Sequence, residues 1–428
     1  MLLVMAAADS VFAFHNGGVG DCDGCHTMHN SSLNQPMAKS GAPVFAGNAY
    51  LLLGSDQSST CLICHSGSVP TDDYKVATNP VPGPGLPPVQ LTPGGDFAYM
   101  QKNYSWLTSS GAQGSSPGDA HGHSIIAADF LYFQNAVYTV SPGGSYPSAK
   151  LGCTSCHDPH GSYRLTSATA GTFVKAAPGQ LGLPIVSSGS SGALPTATGA
   201  VGAYRLLGGN GYAPASYPSA PFVNDPPVAV APVVYNRAES TSDTRVAYGR
   251  GMSEWCQNCH AGIQHASYPN STVQNHPFGN SAKLVQEVVD TYNAYVKTGD
   301  LSGTAATSYN SLVPFEEGVT DLNALATDTT STAGPSVYDN VMCLTCHRAH
   351  ASAWDSMTRW NAAKGAYLTV GGAYPGIDAA GAGSNGEYAT GKTQAEYAKT
   401  MYDRPAAKFA ASQWSLCNKC HENDQYKQ

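Results

Sequence analysis

The sequence is poor in charge and in aliphatic side chains. Charged residues make up 12% of its 428 residues, about half of the roughly 25% that is usual in soluble proteins. Leu, Ile, Val and Phe together make up only 17%, which is too little to build a conventional core. The net charge of −8 is too small for a disordered chain of this length. Something other than aliphatic side chains must therefore fill the interior.

Two further features are missing. No run of 18 or more apolar residues exists, which excludes a spanning helix. No basic stripe exists either, which argues against nucleic acid as a partner. The first 13 residues, MLLVMAAADSVFA, are typical of an export signal cleaved before Phe14, although the usual basic start is absent. We therefore expect residues 1–13 to be an export signal remnant and the protein to be secreted; the alternative is a frayed apolar N-terminus.

The twelve cysteines indicate the class of protein. All of them belong to six CxxCH motifs, which we number 1 to 6 along the chain. Two thiols spaced in this way bond to the two vinyl groups of a haem, and the adjacent imidazole binds the iron. The attachment cysteines and proximal histidines are Cys22, Cys25 and His26 in motif 1; Cys61, Cys64 and His65 in motif 2; Cys153, Cys156 and His157 in motif 3; Cys256, Cys259 and His260 in motif 4; Cys343, Cys346 and His347 in motif 5; and Cys417, Cys420 and His421 in motif 6.

Zinc knuckles and CxxC disulfides are the alternatives. Zinc sites usually combine two CxxC pairs at short separation and do not need a histidine after each pair. A CxxC disulfide closes a very small loop and adds little constraint. The sequence therefore predicts six covalently attached c-type haems, which are bonded on the outer side of the bacterial inner membrane.

The eight remaining histidines can supply a second ligand to every iron. Three of them follow a proximal histidine by three residues, an offset that directs the imidazole away from its own iron and towards a neighbouring haem. His121 and His265 are the two expected spares, although His121 and His123, or His265 and His276, could be exchanged. The predicted second ligands are His15, His29, His123, His160, His276 and His350.

Two imidazoles on every iron leave no position for a substrate. The count therefore favours an electron-transfer protein over an enzyme. Nine scattered methionines are more typical of packing residues than of axial ligands. Twelve haem propionates would make the loaded protein more acidic still, so cations and oxide surfaces become plausible neighbours.

Long stretches rich in Gly, Ser, Pro and Ala separate the motifs. We predict a mostly irregular chain with short helices and few strands, forming one elongated hexahaem unit over residues 14–428 around a continuous haem stack. The apolar periodicity predicts helices over Ser281–Lys297 and from Thr393 to about Tyr402. The 24 tyrosines suit a lining that packs against the haems and keeps a polar end.

Eight segments resemble the extracellular hexahaem c-type cytochromes of metal-reducing bacteria. They include FHNGGVGDCDGCHTMHNS, CTSCHDPHGSYR and CLTCHRAHASAWDSMTR, and the similarity spans nearly the whole chain after Phe14. The resemblance implies a loop-dominated protomer that forms a homopolymeric filament. It also implies that His29 ligates the haem held by Cys343, Cys346 and His347 of the next subunit.

The resulting prediction is extracellular long-range electron transfer. Other multihaem cytochromes would supply the electrons, and insoluble metal oxides, electrodes or partner cells would accept them. The alternatives are a multihaem reductase of the nitrite or tetrathionate type, or a monomeric periplasmic shuttle. Such a reductase keeps one haem face open or uses a CxxCK motif, and no CxxCK occurs in this sequence.

Overall fold

Most of the structure is irregular, with short helices and small sheets, which confirms the predicted fold class. This computed structural model describes residues 22–27, 31–32, 35–36, 51–69, 74–175, 185–187, 194–232, 245–263, 276–311 and 313–422. In these ranges no helix has the length and apolarity to cross a membrane. The α-helices described are α1 (Cys22–Cys25), α2 (Gln57–His65), α3 (Met252–His260), α4 (Gln286–Ala294), α5 (Leu322–Asp328), α6 (Cys343–Cys346), α7 (Gly386–Ala389), α8 (Gln394–Thr400) and α9 (Asn418–His421).

The strands are two to four residues long and form small sheets. The largest sheet has the order β8-β7-β10-β9, in which only β9 and β10 run parallel. The other pairs are β1-β2, β3-β4, β5-β6 and β11-β12. The strands are β1 (Ser31–Ser32), β2 (Gln35–Pro36), β3 (Ser66–Gly67), β4 (Ala77–Thr78), β5 (Tyr104–Leu107), β6 (Gln113–Ser116), β7 (Tyr163–Leu165), β8 (Phe173–Lys175), β9 (Ile185–Ser187), β10 (Ala200–Gly202), β11 (Val228–Val230) and β12 (Ala247–Arg250).

The two predicted helices differ in outcome. Helix α8 confirms the second one, because the Thr393 hydroxyl and the Glu396 carboxylate form a reciprocal capping box at its start. The first prediction was too long, since α4 covers only Gln286–Ala294. Lys283 instead pairs with Asn340 in an extended bridge, which holds the preceding residues outside the helix. That residues 14–428 form a single unit stays a prediction.

Aromatic side chains build the largest buried cluster. Eleven of its 21 fully buried members are Phe, Tyr or Trp, which explains how a chain with few aliphatic residues forms an interior. Tyrosine hydroxyls donate hydrogen bonds to loop carbonyls, as Tyr374 does to Arg404 at 2.7 Å and Tyr402 to Thr92 at 2.6 Å. Because loop carbonyls lack partners in regular elements, these hydroxyls satisfy buried groups that would otherwise be unpaired. Cysteines of motifs 3, 5 and 6 pack against this cluster.

Candidate haem sites

All six CxxCH motifs lie on helical turns. Motifs 2 and 4 occupy the second half of the nine-residue helices α2 and α3. Motifs 1, 5 and 6 lie on the single turns α1, α6 and α9, and motif 3 lies on a 3-10 turn, Cys153–Ser155. Residues three apart on such a turn share one side, so both thiols of a motif face the same way. All twelve cysteines are free thiols, as covalent attachment of haem requires.

A hydroxyl in motifs 3 and 5 holds the start of the turn. The Ser155 hydroxyl accepts a hydrogen bond from the Gly152 N–H at 3.0 Å and donates one to the Lys150 carbonyl at 3.1 Å. In motif 5, the Thr345 hydroxyl accepts a hydrogen bond from the Met342 N–H at 3.1 Å. Both residues lie two positions after the first cysteine of their motif. The sequence analysis did not identify this function, although the shared spacing is visible in the sequence.

Backbone carbonyls orient the proximal imidazoles. The Nδ1 atoms of four of them lie 2.7 to 2.8 Å from a carbonyl oxygen. An Nδ1–H donor in this position leaves the Nε2 lone pair free to bind a metal. The imidazole and carbonyl partners are His65 with Tyr74, His157 with Arg205, His260 with Pro142, and His347 with Ser356.

Four proximal imidazoles face a second imidazole from a distant part of the chain. The ring centroids of these pairs are 6.0 to 6.5 Å apart. Two imidazole nitrogens on one metal ion, each about 2 Å from the metal and about 1.2 Å from its own ring centroid, place the centroids about 6.4 Å apart. The pairs are His26 with His160 at 6.5 Å, His260 with His123 at 6.1 Å, His157 with His350 at 6.3 Å, and His421 with His276 at 6.0 Å.

These pairs fit a haem iron held between two imidazoles. Each second imidazole is one that the sequence analysis predicts as a ligand. Burial lowers the pKa of His123 to about 4, and the nearby His260 lowers it further. Burial likewise lowers the pKa of His350 to about 3. Both rings are therefore neutral at physiological pH, and the neutral imidazole is the form that binds a metal.

His121, one of the two expected spares, makes other contacts. It is fully buried, and its Nδ1 and Nε2 atoms lie 2.9 Å from the Tyr99 carbonyl and 2.7 Å from the Ser116 hydroxyl. With both nitrogens engaged, it has no lone pair directed at a haem. The other spare, His265, and the predicted ligands His15 and His29 lie outside the described residues. Within the described ranges, no three or more His, Cys, Asp or Glu side chains form a metal site by themselves.

The cysteines of successive motifs meet in two alternating ways. In motif pairs 1/2, 3/4 and 5/6 the second cysteines are neighbours: burial raises the pKa of Cys25, Cys156 and Cys420, and the second cysteine of the adjacent motif raises it further. In pairs 2/3 and 4/5 the first cysteines hydrogen-bond each other, as Cys61 does with Cys153 and Cys256 with Cys343. We call these two contacts junction 2/3 and junction 4/5. The order of motifs in the sequence is thus also their order in space.

The fold and these sites define a multihaem c-type cytochrome. No family model matches the chain. It is 46% identical to the C-type cytochrome OmcS of Geobacter sulfurreducens, over 98% of this chain and 96% of that protein. The chain belongs to the OmcS family of c-type cytochromes.

Solved structures agree with this relationship. The cryo-EM structure of the OmcS nanowires of Geobacter sulfurreducens is 44% identical, with a TM-score of 0.84 over 96% of this chain and all of that chain. A structure of the outer membrane cytochrome S filament from the same organism has the same coverage and identity, with a TM-score of 0.83.

Proposed function

We propose that this protein carries electrons outside the cell through six c-type haems, each ligated by two histidines, and that it polymerises into a filament. Its acceptors would be insoluble metal oxides, electrodes or partner cells, and its donors other multihaem cytochromes. The observation that carries the proposal is the set of four imidazole pairs at the spacing of a shared metal. The relatives described as nanowires and filaments support the polymer.

The odd-numbered motifs follow one rule of ligand supply. The second histidine of motif 3, His160, faces His26 of motif 1, and that of motif 5, His350, faces His157 of motif 3. Each odd motif thus receives its second imidazole from the next odd motif. Motif 5 has no odd motif after it in the sequence. The same rule supports His29 of motif 1 in a second copy of the chain as the ligand facing His347.

The even-numbered motifs follow a parallel rule. His123 precedes motif 3 and faces His260 of motif 4, and His276 precedes motif 5 and faces His421 of motif 6. Continued towards the N-terminus, this rule assigns His15, which precedes motif 1, to His65 of motif 2. The two rules together account for twelve histidine ligands and leave His121 and His265 as spares.

Each haem, when bound, supplies an iron that exchanges one electron at a time. The chain supplies what makes that exchange orderly. Its thiols fix the haem edge, its carbonyls hold the imidazole tautomer, and its buried aromatic side chains exclude water around the motifs. Successive motifs adjoin in sequence order, so the chain holds six redox centres as one row.

The test is the secreted protein itself, analysed for haem content, iron spin state and assembly. We expect six haems per chain, only low-spin iron by electron paramagnetic resonance, and filaments by electron microscopy. In the His29→Ala variant, filaments should be lost. His160→Ala is the matched control, because it removes the corresponding histidine inside one subunit and should leave filaments in place.

Three outcomes would contradict the proposal. High-spin iron in the native protein, or a spectral change with carbon monoxide or nitrite, would indicate a reductase with an open haem. Monomers alone in the secreted fraction would indicate a shuttle. Intact filaments in His29→Ala would show that this imidazole does not join the subunits.

A further inference from the structure

Ser58 connects motif 2 to motif 3. It lies in α2, three residues before Cys61, and only 1% of it is exposed. Its hydroxyl accepts a hydrogen bond from the Cys153 N–H, with an N···O distance of 3.0 Å. The pKa of the Cys153 thiol is lowered first by its hydrogen bond with Cys61 and then by one from Ser58. Both polar groups of the first cysteine in motif 3 therefore contact this hydroxyl.

Ser253 makes the same connection between motifs 4 and 5. It lies in α3, three residues before Cys256, and is fully buried. Its hydroxyl accepts a hydrogen bond from the Cys343 N–H at 3.1 Å. The pKa of the Cys343 thiol is lowered first by Cys256 and then by Ser253. The arrangement is thus repeated at the same spacing in two parts of the chain nearly 200 residues apart.

The repeated contact has a specific geometric effect. The N–H of the first cysteine begins its turn and has no partner within that turn. A buried hydroxyl on the preceding motif's helix satisfies this group, so it ties the start of one motif to the body of the other. A serine three residues before a cysteine lies on the same helix face, and the two attachment sulfurs meet on that face.

We propose that Ser58 and Ser253 are positioning residues, which fix the separation and relative orientation of the haems attached at junction 2/3 and junction 4/5. They contact neither iron nor ligand and act through the first cysteine of the following motif. Electron transfer between adjacent redox centres depends on their separation and orientation. The proposal rests on haem attachment at these motifs and does not depend on polymerisation.

The test uses the full secreted protein with Ser58→Ala, Ser253→Ala and both changes together. The readout is the exciton couplet in Soret circular dichroism, because its amplitude depends on the distance and angle between neighbouring haems. Ser59→Ala is the matched control: Ser59 is equally buried on the same helix, but its hydroxyl binds Asp56 and Asp129. Ser58→Thr and Ser253→Thr keep the hydroxyl.

We expect each alanine variant to lose part of the couplet and the double variant to lose more, with six haems still bound. The threonine variants should recover the amplitude, and Ser59→Ala should keep it. An unchanged couplet in the double variant would overturn the proposal. So would haem loss in both alanine variants with full loading in Ser59→Ala, because the hydroxyls would then act in folding. Fewer than six haems in the unaltered protein would instead contradict the proposed function.

Discussion

Junction 2/3 and junction 4/5 share a serine contact but differ in the carboxylate that supports it. Asp56 immediately precedes α2 and accepts a hydrogen bond from the Ser59 N–H at 2.7 Å. At α3 the corresponding role falls to Glu316, which is distant in sequence, is fully buried and accepts one from the Met252 N–H at 2.6 Å. A carboxylate favours the positive end of a helix wherever it comes from in the chain. The comparison shows that the short-range spacing is repeated while the charge beside it is supplied locally or by tertiary structure.

The largest effect should come from removing an axial ligand at one junction while leaving the other intact. His123→Ala removes the imidazole that faces His260 at junction 4/5, and His350→Ala removes the one that faces His157 at junction 2/3. We expect each variant to convert one of the six irons to the high-spin state, measured by electron paramagnetic resonance, because one axial position opens.

His121→Ala is the matched control for these variants, since His121 lies two residues from His123 but binds Tyr99 and Ser116. It should keep all six irons low-spin. High-spin iron in His121→Ala, with none in His123→Ala, would reverse the assignment of these two histidines.

Glu316 should make the stability of junction 4/5 depend on pH. Burial raises its pKa from 4.5 to about 8. Between these values the folded protein keeps a proton that the unfolded chain loses, so stability falls as pH rises through this window. Replacing it in Glu316→Gln should flatten the melting temperature against pH, removing a slope of up to about 1.4 kcal/mol per pH unit.

The control for Glu316→Gln is a melt at about pH 5, where the folded protein carries a protonated Glu316. The variant should melt near the wild-type temperature there, because glutamine is close in shape to the protonated acid. Equal slopes for both proteins between about pH 5 and pH 8 would show that the folded protein ionises this carboxyl as readily as the unfolded chain.

Trp414 extends the comparison to motif 6. It lies three residues before Cys417, the position of Ser58 and Ser253 in their motifs, and it is 52% exposed. No motif follows motif 6 in the sequence, so in the proposed polymer its partner is motif 1 of another copy, whose Cys22 is exposed. Tryptophan anchors at interfaces often contribute about 2 kcal/mol or more, so Trp414→Ala should weaken subunit association about 30-fold.

Filament length distributions from electron microscopy at a series of protein concentrations measure this effect. Tyr338→Ala is the control, since Tyr338 is a larger exposed fraction, 74%, of another aromatic side chain. Wild-type filament lengths in Trp414→Ala would place the boundary between subunits elsewhere.

The sequence predicts the chemistry at these junctions better than their geometry. The CxxCH spacing identifies the attachment cysteines and proximal histidines because this chemistry acts within five residues. It does not reveal that His160 faces His26, because that pair depends on how loops more than 100 residues long return to the haems. For the same reason the partner of Ser253 was not predicted, and α4 is shorter than its apolar pattern indicates.

The smallest effect should come from the residue before the first cysteine at junction 2/3. That residue is Gly152, whose φ of −157° is an extended conformation open to any residue. A Cβ added there would lie 2.8 Å from the Ser58 hydroxyl oxygen, whereas junction 4/5 accommodates the buried side chain of Met342 at the same position. Gly152→Ala should therefore displace Ser58 slightly and destabilise the protein by about 1 kcal/mol, measured by thermal melting. Because the conflict is with one atom, the same substitution in a Ser58→Ala background should cost almost nothing. An equal cost in both backgrounds would mean that the backbone of motif 3, and not the serine, makes junction 2/3 the tighter of the two.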